Sequence, residues 1–130
     1  MNNLWDNKKQ SALRKLQKEI RSGFYSYMIL SILEEKKELH GYGIRKNLEH
    51  LSKGEIVPSE GALYDLLKSL KKYGLVDDFW AEIGGRQRRY YMLTDLGKEV
   101  LAELKIEVQK LVRIIERASQ LKDSSNFDKE

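Results

Sequence analysis

The chain has 130 residues, length for one domain with an added helix or two, and 24 basic against 20 acidic residues leave a net charge of +4. That balance, with a pI near 9.2, favours an anionic partner, and the lack of cysteine excludes disulfides, thiolate metal sites and cysteine nucleophiles together. No apolar run nears the ~20 residues of a membrane span and the charged N-terminus lacks the apolar block of a signal peptide, so a cytoplasmic protein with no membrane partner is expected.

Trp5, Ala12, Leu13, Leu16 and Ile20 recur at helical steps, with Lys9 as the polar exception, which predicts an amphipathic helix of about four turns. Gly23 is expected to break it. Tyr25, Met28, Ile29, Ile32 and Leu33 then fit the pattern of a second helix, and Glu34 to Glu38 reads as a polar turn. A third helix starts near Tyr42 and turns Ile44, Leu48 and Leu51 inward. Pro58 and Ser59 open a fourth, where the Ser59 hydroxyl is able to accept an unpaired backbone N–H as N-cap. Gly74 ends that helix at a position where positive φ suits only glycine.

After Gly74 the period changes from about 3.6 to 2. Phe79, Ala81 and Ile83 alternate with Asp78, Trp80 and Glu82. Gly84-Gly85 signals a hairpin turn, and Tyr91 and Leu93 alternate with Tyr90 and Met92 on the return strand. Thr94 caps a last helix reaching about Leu121, in which Leu101, Leu104, Val108, Leu111, Ile115 and Ala118 keep strict heptad-like spacing. The expected fold is mainly α: an α+β winged helix-turn-helix with an added N-terminal helix and a long C-terminal dimerisation helix. The chain divides into an N-terminal helix on the dimer interface (1–22), the winged helix-turn-helix (23–94), the C-terminal helix (95–122) and a disordered tail (123–130).

In a helix-turn-helix the second helix enters the major groove and its leading residues reach base edges. Residues 59–73 are that helix here. Leu63, Leu66, Leu67 and Leu70 form its inward stripe, while Ser59, Glu60 and Gly61 stand at the leading end. Gly61 costs roughly 1 kcal/mol against alanine in a helix; either close approach of a DNA backbone justifies it or a first-turn glycine is simply tolerated. Tyr64 either meets a phosphate or thymine methyl or packs on the hairpin. Lys68, Lys71 and Lys72 extend a positive surface and also suit the helix dipole.

The hairpin tip, Gly84-Gly85-Arg86-Gln87-Arg88-Arg89, is the most pointed feature. Arginine suits phosphate because its planar fork donates two hydrogen bonds at once, although a charged tip also guards a strand edge against pairing. The last helix presents an apolar seam that a small core does not cover. Pairing of two chains through Leu101, Leu104, Val108, Leu111 and Ile115, with Leu13, Leu16 and Ile20 of the N-terminal helix packed across, answers this; packing of the first helix on the last within one chain is the alternative. His40 and His50 match no metal spacing, Ser59 has no catalytic partners, and Asp77, Asp78, Glu34 and Glu35 read as solvated charge. No metal, cofactor or enzymatic activity is expected.

Taken together, the stretches LHGYGIRKNLEHL, PSEGALYDLLKSLKKYGLV and GGRQRRYYMLTDLGKEVL make the chain resemble the PadR-like family of transcriptional regulators, from about Gly23 to Leu121. The resemblance rests on His40-Gly41-Tyr42, on Leu63-Tyr64 and on the arginine-rich wing ending Tyr-Tyr-x-Leu-Thr. It implies a dimeric winged-helix repressor on double-stranded DNA, of the subfamily with one long helix after the wing. By position, Ser59, Glu60, Gly61 and Tyr64 would read DNA and Gly85 to Arg89 would grip its backbone. It also implies a small aromatic or drug-like effector. A winged helix used for protein–protein contact is the competing reading, motivated by acidic Glu60 and by Trp80 on the hairpin.

Overall fold

The computed structural model describes residues 3–121. Its first element, α1 (Leu4–Lys36), is one continuous helix, so Gly23 does not break it. A glycine weakens a helix by about 1 kcal/mol but does not forbid helical φ and ψ, and no proline stands in the segment. The Asn3 side chain caps the start by accepting the Asp6 N–H at 2.7 Å. The stop comes at Lys37, with φ of 71°, whose N–H donates to the Leu33 carbonyl at 3.0 Å.

The turn expected at Glu34 to Glu38 is instead helical through Lys36, and a short strand, β1 (Glu38–His40), follows. Three residues carry too little alternation to register as a strand, and β1 exists because β3 offers it a free edge. Next come α2 (Gly41–Ser52), α3 (Glu60–Lys72), β2 (Val76–Ile83), β3 (Arg86–Leu93) and α4 (Asp95–Ala118). The sheet is antiparallel in the order β1-β3-β2, with His40 opposite Tyr90 and Asp78 opposite Tyr91. Gly84 and Gly85, with φ of 62° and 78°, make the tight turn between β2 and β3; consecutive positive φ values match the twist of a hairpin.

Ser59 and Thr94 cap α3 and α4 as expected, accepting the N–H groups of Ala62 and Gly97. Thr94 also donates to the Gly74 carbonyl at 2.6 Å, so one hydroxyl ties the end of α3 to the start of α4. Gly97 has no room for a side chain: a Cβ there would lie 2.1 Å from the Leu75 carbonyl oxygen. α4 ends at Ala118, one turn short of Leu121. The proposed tail 123–130 lies outside the described residues.

The core gathers Ile29, Leu30, Ile32 and Leu33 of α1 with Ile44, Leu48, Leu63, Leu67, Leu70, Val76, Tyr91, Leu93 and Leu101. Each such aliphatic side chain contributes about 1.5–3 kcal/mol by leaving water. Leu51, expected to face inward, is instead exposed at the last turn of α2. Glu34, expected to be solvated, accepts a hydrogen bond from Lys105 and links α1 to α4.

Candidate nucleic-acid interface

α3 rises from a loop that is held at both ends. Arg45 of α2 donates through Nε to the Pro58 carbonyl at 3.0 Å, which sets the residue before the Ser59 cap. The leucine stripe then pins α3 to the core, leaving Ser59, Glu60, Gly61, Tyr64, Asp65 and Lys68 exposed. Nothing lies within 4 Å of the place a Gly61 side chain would occupy, so the leading end of α3 is bare.

Tyr64 bridges the two halves of the site. Its hydroxyl lies 3.0 Å from where a Gly41 Cβ would be, so the ring lies closely over the start of α2 and a larger residue at 41 would push it outward. The ring also borders the cleft beneath the wing, about 730 Å³ in volume, with His40, Tyr42, Trp80 and residues 86 to 89. The two readings of Tyr64 merge: it packs, yet keeps 44% of its surface open.

Strand alternation sorts the wing arginines. Arg89 turns toward α3, where it is ion-paired with Asp78 and lies over the Tyr91 ring at 5.5 Å. Lys71 reaches the same carboxylate at 2.7 Å. Asp78 is therefore not solvated charge, because its side chain keeps only 11% of its surface. The Lys71 hydrogen bond, aided by Arg89, holds this carboxyl below its ordinary range against the opposing effect of burial.

Arg88 turns the other way, with Nη1 at 2.9 Å from His40 Nε2. His40 Nδ1 caps α2 by accepting the Gly43 N–H at 2.9 Å. A neutral imidazole accepts at one nitrogen and donates at the other. It therefore satisfies Gly43 or Arg88, not both, and with the cap made Arg88 is left free to bond elsewhere. Burial, then the Arg88 charge, pushes the His40 pKa below its ordinary value. Tyr90 meets the ring edge-on and Tyr42 stacks beside it. Sequence reasoning weighed His40 as a metal ligand and as part of the His40-Gly41-Tyr42 motif and missed this role; histidine is an uncommon N-cap, so the signal was weak. Arg86 and Gln87 project at the tip and, among the described residues, form no side-chain hydrogen bond or ion pair.

Of the predicted residues, Glu60, Tyr64, Lys68 and residues 86 to 89 thus line adjoining clefts, while Ser59, Gly61 and Gly85 stand exposed beside them in sequence. The model of the Transcriptional regulator PadR-like family matches residues 29–103, more than half of the chain. This chain belongs to the PadR-like family of transcriptional regulators. The match spans α2, α3, the wing and the first turns of α4, the parts that build the surface just described.

Solved PadR-like and other regulators share the fold. A transcriptional regulator from Clostridium thermocellum is 26% identical with a TM-score of 0.69, covering 76% of this chain and 93% of its own. A PadR family transcriptional regulator from Eggerthella lenta is 26% identical with a TM-score of 0.68, covering 87% and 96%. PadR of Bacillus subtilis, solved in complex with operator DNA, is 29% identical with a TM-score of 0.56, covering 62% of this chain and 46% of its own.

The residues expected at a PadR-like dimer interface divide into two groups. Leu101 is fully buried in its own chain, and Leu104 and Val108 are half-buried there, so this part of the seam serves the intramolecular core. Leu13, Leu16, Ile20, Leu111 and Ile115 face water, with exposures from 43% at Leu13 to 75% at Ile20. Among the described residues no cluster of metal ligands occurs, and no helix is long and apolar enough to cross a membrane.

Proposed function

We propose that this chain is a sequence-specific DNA-binding repressor that meets a pseudo-palindromic operator as a homodimer. α3 occupies the major groove and the wing tip, Gly85 to Arg89, grips the phosphate backbone. The observation that carries this reading is the meeting of α3 and the wing: Glu60 at the leading end of α3 and the wing arginines border two clefts that share Gly41, Tyr42 and Tyr64. Within it, Ser59 and Glu60 meet base edges; a carboxylate accepts from a cytosine amino group. Tyr64 and Lys68 flank them. Arg86, Gln87 and Arg88 take phosphates, and Arg89 joins them from its perch on Asp78.

The homodimer is supported by the apolar residues that a single chain leaves in water. Trp5, Leu13, Leu16 and Ile20 on α1 and Leu111 and Ile115 on α4 are all more than 40% exposed, and such faces mark association surfaces. A two-fold axis through them sets two copies of α3 about one DNA turn apart. α4 carries no aromatic residue, so a small aromatic or drug-like effector would meet Trp5, Phe24 or Tyr25 of α1. A chain with this role works in the cytoplasm, beside the DNA.

Titration of the full chain onto a fluorescent duplex from upstream of its own gene, with excess unrelated duplex present, tests the reading. Competitor-resistant binding at two chains per site is expected. Absence of binding to any duplex overturns it in favour of a protein–protein contact module, for which exposed Trp80 and acidic Glu60 speak.

A further inference from the structure

The positive charge of this chain is concentrated ahead of the family match. The first 28 residues precede the matched segment 29–103. They hold six lysines and arginines against Asp6 and Glu19, a surplus equal to the +4 of the whole chain. The remainder is balanced. The basic character that points to an anionic partner therefore lies on the N-terminal part of α1, not on the family-matched body alone.

Within α1 these charges are sorted by face. Arg14, Lys18 and Arg21 stand at i, i+4 and i+7 and share one side, while Trp5, Leu13, Leu16 and Ile20 occupy the opposite one. Lys15 is engaged by Glu19 at 3.1 Å. Arg14, Lys18 and Arg21 form no ion pair among the described residues. The dimer face proposed above leaves them free, because it uses the other side of the helix.

The basic face lines an open cleft of about 390 Å³, whose other wall is α3 through Ala62, Asp65 and Leu66. Asp65 is the carboxylate of that lining, set against three cations. α3 is thus flanked twice. Toward the hairpin, Tyr64 and Lys68 border a cleft with Arg89; toward α1, Ala62 and Asp65 border Arg14, Lys18 and Arg21. A helix seated in the major groove has a sugar-phosphate strand on each side.

We infer that Arg14, Lys18 and Arg21 form a second phosphate-binding surface, gripping the strand across the groove from the one the wing holds. This rests on the DNA-binding reading above. The seven-residue span covers about 10 Å of helix axis, comparable to the axial advance of about three phosphates along one strand. Duplex DNA fits this surface because its charge runs as a continuous row, as the three cations do.

The test uses the full chain and the triple variant Arg14→Gln/Lys18→Gln/Arg21→Gln, since glutamine keeps helix propensity. Affinity is followed against salt on the duplex from upstream of the chain's own gene and on an unrelated duplex of equal length. Each lost phosphate contact removes about 0.9 from the slope of log K against log salt, so a decrease of about 2.7 per chain is expected on both duplexes. The preference between the duplexes stays the same. Arg14→Lys/Arg21→Lys is expected to retain the slope, which separates charge from packing, and Lys18→Gln alone removes about 0.9. A slope unchanged in the triple variant but reduced in Arg86→Gln/Arg88→Gln overturns the second surface and leaves DNA binding standing. A wild-type chain that binds neither duplex overturns both.

Discussion

Two donors converge on His40, whose neutral ring has one acceptor to offer them. Acidification aggravates this, because a protonated ring caps nothing and repels Arg88. Folding lowers the proton affinity of His40, so the unfolded chain takes up the proton first, near its ordinary pKa of about 6.5. The stability His40 contributes is therefore complete above that value and is lost as pH falls through the folded pKa. We expect the melting temperature to drop by about 2–4 °C more in wild type than in His40→Asn, a capping residue that does not titrate, between neutral and mildly acidic pH. Parallel pH profiles for the two proteins would remove His40 from this account.

Two glycines separate folding from recognition at the same scale. Gly97→Ala drives a Cβ into the Leu75 carbonyl oxygen, and a loss of about 3 kcal/mol in urea unfolding is expected. Gly61→Ala meets open space, so it stabilises α3 by up to about 1 kcal/mol. The same methyl stands between α3 and a groove, and weaker operator binding is expected beside the stability gain. A Gly61→Ala chain that is more stable and binds unchanged would show that α3 meets no DNA at this end.

At the scale of elements, α1 does three jobs along its length: its C-terminal half fills the core, one side of its N-terminal half offers an apolar stripe, and the other side is basic. Leu16 and Ile20 are 54% and 75% exposed, so Leu16→Glu/Ile20→Glu is expected to leave circular dichroism intact while halving the mass seen by sedimentation. A dimer that survives would move the interface to α4 alone. The period of the apolar residues made the helices and the hairpin legible in the sequence, as did the caps Ser59 and Thr94. Gly23 misled because its cost of about 1 kcal/mol does not forbid helical φ and ψ, and the helix-forming residues before and after it carry the helix across. β1 was illegible because a three-residue strand is defined by the edge it joins, not by its own pattern.

At the scale of the whole molecule, the proposed dimer, with two copies of α3 and two wings, would meet roughly 6 to 10 phosphates, so affinity should fall ~1,000- to ~100,000-fold between ~50 and ~200 mM salt. A complex indifferent to salt would contradict a backbone grip of this kind. The charge distribution sharpens the expectation, since the surplus lies on α1 while the wing and α3 carry cations partly engaged by Asp78.

Local chemistry alone determined much of this chain. The heptad-like leucines, the shift from helical to alternating period after Gly74, the paired glycines of the turn and the arginines beside them are all short-range signals, and they placed α3 and the β2–β3 hairpin. What the tertiary structure decided is which charges are free. Asp78 and Arg89 meet across the hairpin, and Lys71 joins them from α3 only because the hairpin packs against that helix. The split of the α4 seam into a buried Leu101 and an exposed Ile115 likewise depends on where α1 ends its contact with α4. Burial and ion pairing are set by distances between residues far apart in sequence, and no periodicity records them.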